Sequence, residues 1–313
     1  MRNISFDEAR SNLKKIFRKD LEEHIKVLGG YLIDHQGKIH PQKSPIVFDG
    51  QAYKLMKDIK DEIIRINAPN MIIDGNNHVI NGILSGIEIR YADNVVLKNV
   101  TFERSKLLIE WASNVTVTNC KMIKSMIDVQ CSLNIKVSNN IFRGGSVATS
   151  HNLFLFNPKW ILDFGRTSLI SENLFTECHC AIGLDNSFKN EITRNSFENN
   201  KFGIRISVNE RRHSIINFVQ TSEFSNKIFH NNFINNEKHA LIEGSSINIW
   251  DNGYPSGGNY WSDYKGVDQK CGELQDQDGS DGIGDIPYKI DERNWDRYPL
   301  MKKIEIFSNT IRR

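Results

Sequence analysis

The chain lacks a long apolar run. No stretch of about 18 apolar residues occurs in its 313 residues, so no membrane-spanning helix is implied. It lacks a strong charge of either sign. Lys plus Arg number 40 and Asp plus Glu 38, a formal net charge of +2, which gives no support to nucleic-acid binding. It lacks an apolar signal core at its start, where residues 1–28 are charged throughout; as it stands, the sequence reads as cytoplasmic. Cysteines are few: Cys120, Cys131, Cys178, Cys180 and Cys271. An odd number without disulfide-rich spacing fits reduced thiols. Glycine-rich phosphate loops and nucleophile elbows are also missing, which removes the commonest nucleotide and hydrolase signatures.

What is present is a repeat. An Asn-x-Phe element recurs as Asn140-Ile141-Phe142, Asn173-Leu174-Phe175, Asn195-Ser196-Phe197 and Asn231-Asn232-Phe233, with weaker copies ending at Phe102 and Met122. The period is 20 residues from Phe102 through Met122 to Phe142, and 22 from Phe175 to Phe197. Fixed periods of this size mark solenoids. Within each copy apolar residues alternate, as at Ile87 and Ile89 or Ile127 and Val129, which is a strand signal. A rung of this length with short strands and polar corners is a coil of a parallel β-helix, and such coils must stack to bury their apolar faces. Asn94, Asn114 and Asn134 share one offset and predict an asparagine ladder at a corner. Two longer spacings predict loop insertions near residues 144–159 and 209–224.

The ends differ from the repeat. Ser5-Phe6-Asp7-Glu8 has the form of a capping box. Phe6, Leu13, Phe17, Leu21, Ile25 and Leu28 follow at near-helical spacing up to Gly29-Gly30. This predicts an amphipathic helix that covers the first coil. At the other end, residues 250–264 are dense in aromatics and glycine. Asp268, Asp276, Asp278, Asp281 and Asp285 then supply oxygen ligands along a glycine-interrupted loop, a candidate calcium site. The organisation expected is an N-terminal helical cap over 1–45, a parallel β-helix over 46–250 and a loop-rich cap over 251–313.

Ile72-Ile73-Asp74-Gly75-Asn76-Asn77-His78-Val79-Ile80-Asn81-Gly82, the Asn-x-Phe coils and the tail Gly253-Tyr254-Pro255-Ser256-Gly257-Gly258-Asn259-Tyr260-Trp261-Ser262-Asp263-Tyr264 carry a resemblance. The chain resembles the NosD-type family, also grouped as carbohydrate-binding and sugar-hydrolysis (CASH) repeats. The resemblance covers roughly residues 45–300. It implies a right-handed parallel β-helix of the pectin lyase-like kind, often exported, and copper delivery in NosD proper. This chain adds the N-terminal helical stretch, and Ser280 interrupts the family's usual Asp-Gly-Asp-Gly run.

The repeat register also places candidate chemistry. One outward column reads Arg90, Glu110, Gln130, Asp163, Asp185, Ser207, and its neighbour reads Glu88, Leu108, Asp128, Ile161, Gly183, Arg205. Coils lie about 4.8 Å apart. Asp163 and Asp185 then become a stacked carboxylate pair at glycosidase distance. Glu88, Glu110 and Asp128 would cluster diagonally, beside Arg90 and Trp111, with Gln130 and Arg205 as further substrate contacts. Gly-Asp-Asp and Gly-His-Gly elements of polygalacturonase-like enzymes are missing. The Cys178-His179-Cys180 run offers too few ligands for a closed metal site. Three readings follow: a carbohydrate-binding β-helix, with or without processing of its polysaccharide by hydrolysis or lyase chemistry; a scaffold that binds protein through its insertion loops; or a NosD-like metal-site maturation factor.

Overall fold

The computed structural model describes Ser11 and residues 30–150, 168–208 and 225–306. The predicted N-terminal helix, most of both insertions, and Asp163, Trp160 and Phe164 lie outside the described residues. The chain divides into two compact units, Met1–Lys136 with Val147–Thr167, and Val137–Ser146 with Ser168–Arg313. Both are built from coils of a right-handed parallel β-helix, each coil giving one strand to each of three sheets.

In the first unit, one sheet runs Tyr31–Ile33, Ile63–Ile66, Gly86–Arg90, Lys106–Glu110 and Met126–Gln130, all parallel. A second contains Tyr53–Leu55, Met71–Asp74, Val95–Lys98 and Thr116–Thr118. A third contains Ile59–Lys60, Val79–Asn81, Thr101–Glu103 and Lys121–Ile123. Period-2 alternation turns Ile64, Ile66, Ile87, Ile89, Leu107, Ile109, Ile127 and Val129 inward, each fully buried. Each such side chain contributes about 1.5–3 kcal/mol through burial. The first rung starts at Tyr31, inside the stretch assigned from sequence to the helical cap. Two antiparallel hairpins begin the stack there, Tyr31–Ile33 with Ile39–His40 and Ile46–Phe48 with Tyr53–Leu55.

Corners need left-handed backbone, and asparagine tolerates it best after glycine. Asn94, Asn114 and Asn134 have φ of 56°, 56° and 52°. Their amides form the expected ladder: Asn134 Nδ2 donates to Asn114 Oδ1 at 2.6 Å, Asn114 to Asn94 at 2.9 Å and Asn94 to Asn70 at 2.7 Å.

The second unit stacks aromatic rings. Phe142, Phe175, Phe197, Phe233, Trp261 and Tyr288 follow one another with ring centroids 4.5, 5.2, 4.9, 4.4 and 4.2 Å apart. The strands that carry them, from Ile141–Arg143 to Tyr260–Trp261, pair in parallel with Phe over Phe in register. The sheet therefore continues past residue 250, where the sequence pattern placed the start of the cap.

The asparagine of each Asn-x-Phe element has a role of its own. Asn140, Asn173, Asn195, Asn231 and Asn259 are all completely buried. Each donates from Nδ2 to the Oδ1 of the next at 3.0 Å. The row ends on Asp296, whose Oδ2 accepts from Asn259 N–H at 2.7 Å and Trp261 Nε1 at 2.8 Å. A second buried row runs Asn190, Asn226, Asn248, Asn294.

Candidate functional site

The outward face of the first unit carries the only cluster predicted from register that the described residues bring together in side-chain contact. Arg90 stands beside Glu110 in register, and Leu108 beside both Glu88 and Asp128. Arg90 Nε lies 3.5 Å from Glu88 Oε2 and 3.3 Å from Glu110 Oε2, wedged between the two carboxylates. Arg65, on the preceding rung, reaches Glu88 Oε2 at 3.4 Å with its side chain only 7% exposed. The sequence reading missed Arg65 because it began the register one rung later. The Ile64–Ile66 alternation around it was the available signal.

Asp128 does not join this cluster. Leu108, itself buried, separates it from Glu88 in the column. Asp128 pairs instead with Lys106 Nζ at 2.6 Å and accepts from Gln130 Nε2 at 2.7 Å. The strip therefore alternates positive and negative groups: Arg65, Glu88, Arg90, Glu110, then Lys106 and Asp128.

Next to it the chain turns with residues poorly suited to the turn. Tyr91, Trp111 and Cys131 directly follow Arg90, Glu110 and Gln130, with φ of 53°, 50° and 46°. Left-handed backbone costs a non-glycine residue roughly 1–2 kcal/mol, least for Asn and Asp. In the second unit, the residue after Asp185 in the corresponding place is Asn186, φ 46°. Asparagine satisfies this corner at lower strain in that rung, whereas the first unit places Tyr91, Trp111 and Cys131 there. Tyr91 is buried, and burial, then the neighbouring Glu110 charge, push its phenol up to about 12. Trp111 is half-buried.

In the second unit, Asp185 accepts from Ser207 Oγ at 3.1 Å and Asn186 Nδ2 at 2.9 Å. Its expected partner Asp163 lies outside the described residues. Arg205, beside Gly183 in register, is bound by Glu243 at 2.5 Å.

The C-terminal carboxylates bind their own loop. Asp268 accepts from Ser280 Oγ at 2.7 Å, Asp281 N–H at 3.0 Å and Gly282 N–H at 2.9 Å. Asp285 accepts from Gln269 N–H at 3.1 Å and Lys270 N–H at 3.0 Å. Asp278 pairs with Lys270, and Asp281 accepts from Ile283 N–H and Gln275 Nε2 at 3.0 Å each. Asp276 is exposed. Among the described residues, no three His, Cys, Asp or Glu side chains gather in a group that could hold a metal ion.

Several of the described histidines and thiols are likewise engaged. His40 pairs with Asp34 at 2.7 Å, and His78 with Asp58 at 3.0 Å. His230 Nε2 lies 2.8 Å from the Ser256 carbonyl. His239 Nδ1 accepts from Asn236 Nδ2 at 3.1 Å, which leaves Nε2–H for Asp263 at 3.2 Å. Cys178 donates to the Thr176 carbonyl, and burial pushes its thiol up to about 12. Cys180 donates to the Ile182 carbonyl and is also raised by burial.

Fold and face together define a parallel β-helix protein with a charged, aromatic-edged outer strip. Over residues 46–266 the chain matches the NosD family, described as periplasmic copper-binding protein, and it belongs to that family. It is 30% identical over 126 residues to the probable ABC transporter binding protein NosD of Stutzerimonas stutzeri, across 39% of this chain and 23% of the relative. The chain thus spans about a quarter of the curated relative it matches. Among the described residues no helix is long and apolar enough to cross a membrane.

Proposed function

We propose that this protein binds a glycan along the outward strip of its first unit. The observation that carries the reading is Trp111, half-buried at φ 50° directly after Glu110 and so beside the Arg90–Glu110 pair of the outward strip. Alternating guanidinium and carboxylate groups match sugar hydroxyls, which donate and accept at once. An aromatic side chain offers an apolar face to a pyranose ring.

The strip favours binding over cleavage. Glycosidase carboxyl groups flank the scissile bond. Here the Arg90 guanidinium occupies the space between Glu88 and Glu110. Copper, which the family's description names, wants clustered His, Cys and Met side chains. The described histidines and thiols are spread across the fold, and no three His, Cys, Asp or Glu side chains gather among the described residues, so they do not fit such a centre. Calcium at the C-terminal loop would have to displace the backbone and hydroxyl donors that already fill Asp268. That loop supports a self-held turn.

A glycan array on the whole chain tests the proposal. A hit that is lost in Trp111→Asn and in Arg90→Gln, with the fold intact, supports it. Failure of every glycan to bind would make the protein-binding scaffold the better account.

A further inference from the structure

The outward strip of the first unit is balanced in charge. Arg65 and Arg90 stand against Glu88 and Glu110 at 3.3–3.5 Å, and Lys106 against Asp128 at 2.6 Å. The corner beyond Tyr91 and Trp111 adds one more acid, Asp93, whose Oδ1 accepts from Ser113 N–H at 3.0 Å and Ser113 Oγ at 2.6 Å. Each of these three cations already faces an acid. An anionic ligand would therefore bring its charge against Glu88 and Glu110 without a cation of its own.

One end of the strip also carries two unmatched polar atoms. Ile66 aligns with Ile89 on neighbouring rungs, and Asn67 and Arg90 directly follow them. Both isoleucines are buried and point inward, so Asn67 and Arg90 stand outward, about 4.8 Å apart along the stack. Asn67 Oδ1 is shielded from solvent and has no hydrogen-bond donor. Arg90 Nε is shielded likewise and, though flanked by two carboxylates, is in hydrogen-bond geometry with neither. Among the described residues only Ser168 Oγ and Gln275 Oε1 share this state.

An acceptor without a donor and a donor without an acceptor, one rung apart, are the complement of a single hydroxyl, which donates and accepts at once. A carboxylate offers acceptors alone and would leave Asn67 Oδ1 unmatched beside it. We propose, on the glycan reading above, that the strip takes a neutral glycan and that one of its hydroxyls bridges the Asn67 amide oxygen and the Arg90 guanidinium. The charge balance of the strip then rejects uronic acids and sulfated sugars, and Asn67 determines specificity without belonging to an ion pair.

Calorimetric titration of the full chain with oligomers of glucose, mannose and galactose, and with the matching oligomers of their uronic acids, tests this. The expected result is a neutral oligomer bound about tenfold or more tightly than its uronate counterpart. Its affinity should change by less than about twofold between about 50 and 500 mM salt. Asn67→Leu, close in volume, should weaken the neutral ligand by about tenfold. The unfolding midpoint of that variant should stay at or above the parent's, because an unmatched buried oxygen is removed. Asn67→Ala repeats the test if leucine disturbs the rung. A uronate bound as tightly as its neutral counterpart, or neutral binding that Asn67→Leu leaves unchanged, overturns the proposal and leaves the glycan reading in place. Binding of no oligomer of either kind removes both.

Discussion

The two units solve the same stacking problem with different chemistry. The first has an aliphatic core, and its asparagine ladder at Asn70, Asn94, Asn114 and Asn134 lies on the exposed side of a corner. The second has a continuous ring stack and buries its ladders completely. Water competes for the first kind of ladder and cannot reach the second. Stability should therefore be concentrated in the polar and aromatic columns of the second unit, while the first keeps its outward face free for charged and aromatic groups.

Truncation of a ring should give the largest contrast. Phe197→Ala is expected to cost about 3–5 kcal/mol in denaturant unfolding. It touches a ring on either side, whereas Phe102 of the first unit is aligned with Ile80 and Met122. Stacked rings contribute roughly 0.5–1.5 kcal/mol beyond area. A Phe102→Ala cost equal to that of Phe197→Ala would break the comparison.

The ladders come next. Asn195 donates to the carbonyls of Ile170 at 2.8 Å and Thr193 at 3.1 Å as well as to Asn231. Its removal orphans buried groups on both sides, for about 3 kcal/mol. Asn114→Ala, at an exposed rung, loses under about 1 kcal/mol of hydrogen bonding but gains left-handed strain at φ 56°, for a total of about 1–2 kcal/mol. Equal costs would show that burial does not separate the two ladders.

The end of the buried row sharpens the contrast through pH. Burial raises the Asp296 carboxyl to about 7, against the pull of the Asn259, Trp261 and Tyr298 N–H donors, with Asp251 adding to the rise. A carboxyl raised on folding binds its proton more tightly in the native state. Its contribution is present at low pH and declines as pH rises from the unfolded value near 4 to about 7. The slope approaches about 1.4 kcal/mol per pH unit within that window, or about 2 kcal/mol between pH 5 and 6.5. Thermal unfolding of Asp296→Asn should lose this component; an unchanged pH profile would exclude it.

The sequence was most legible where one period ran through it. The Asn-x-Phe register anticipated which rings stack, and the shared offset of Asn94, Asn114 and Asn134 anticipated a ladder. The buried ladder was spelled in the same motif, but residue type alone does not tell an asparagine that faces water from one that faces the core. Lateral contact was harder still. Register places Glu88 and Asp128 in one column, yet the intervening Leu108 is buried and each acid finds a different cation. Arg65 was harder to place because the rungs before residue 86 lack the Asn-x-Phe mark and leave only the Ile64–Ile66 alternation as a signal.

The smallest expected effect on stability bears most directly on function. Trp111 holds φ 50°, a region that asparagine occupies more readily. Trp111→Asn should relieve that strain by up to about 1 kcal/mol and lose the ring's packing in part, so the net change in unfolding free energy should be within about 1 kcal/mol of zero. The mirror substitution, Asn186→Trp in the second unit, adds the same strain without an Arg90–Glu110 pair beside it, so it should destabilise by about 1–2 kcal/mol and create no glycan binding. If the ring at residue 111 is there for a ligand, the first change abolishes binding at almost no cost in stability, whereas the second lowers stability and brings no ligand. A clear loss of stability in Trp111→Asn would instead make the tryptophan a packing residue, and the strained corner would then carry no functional message.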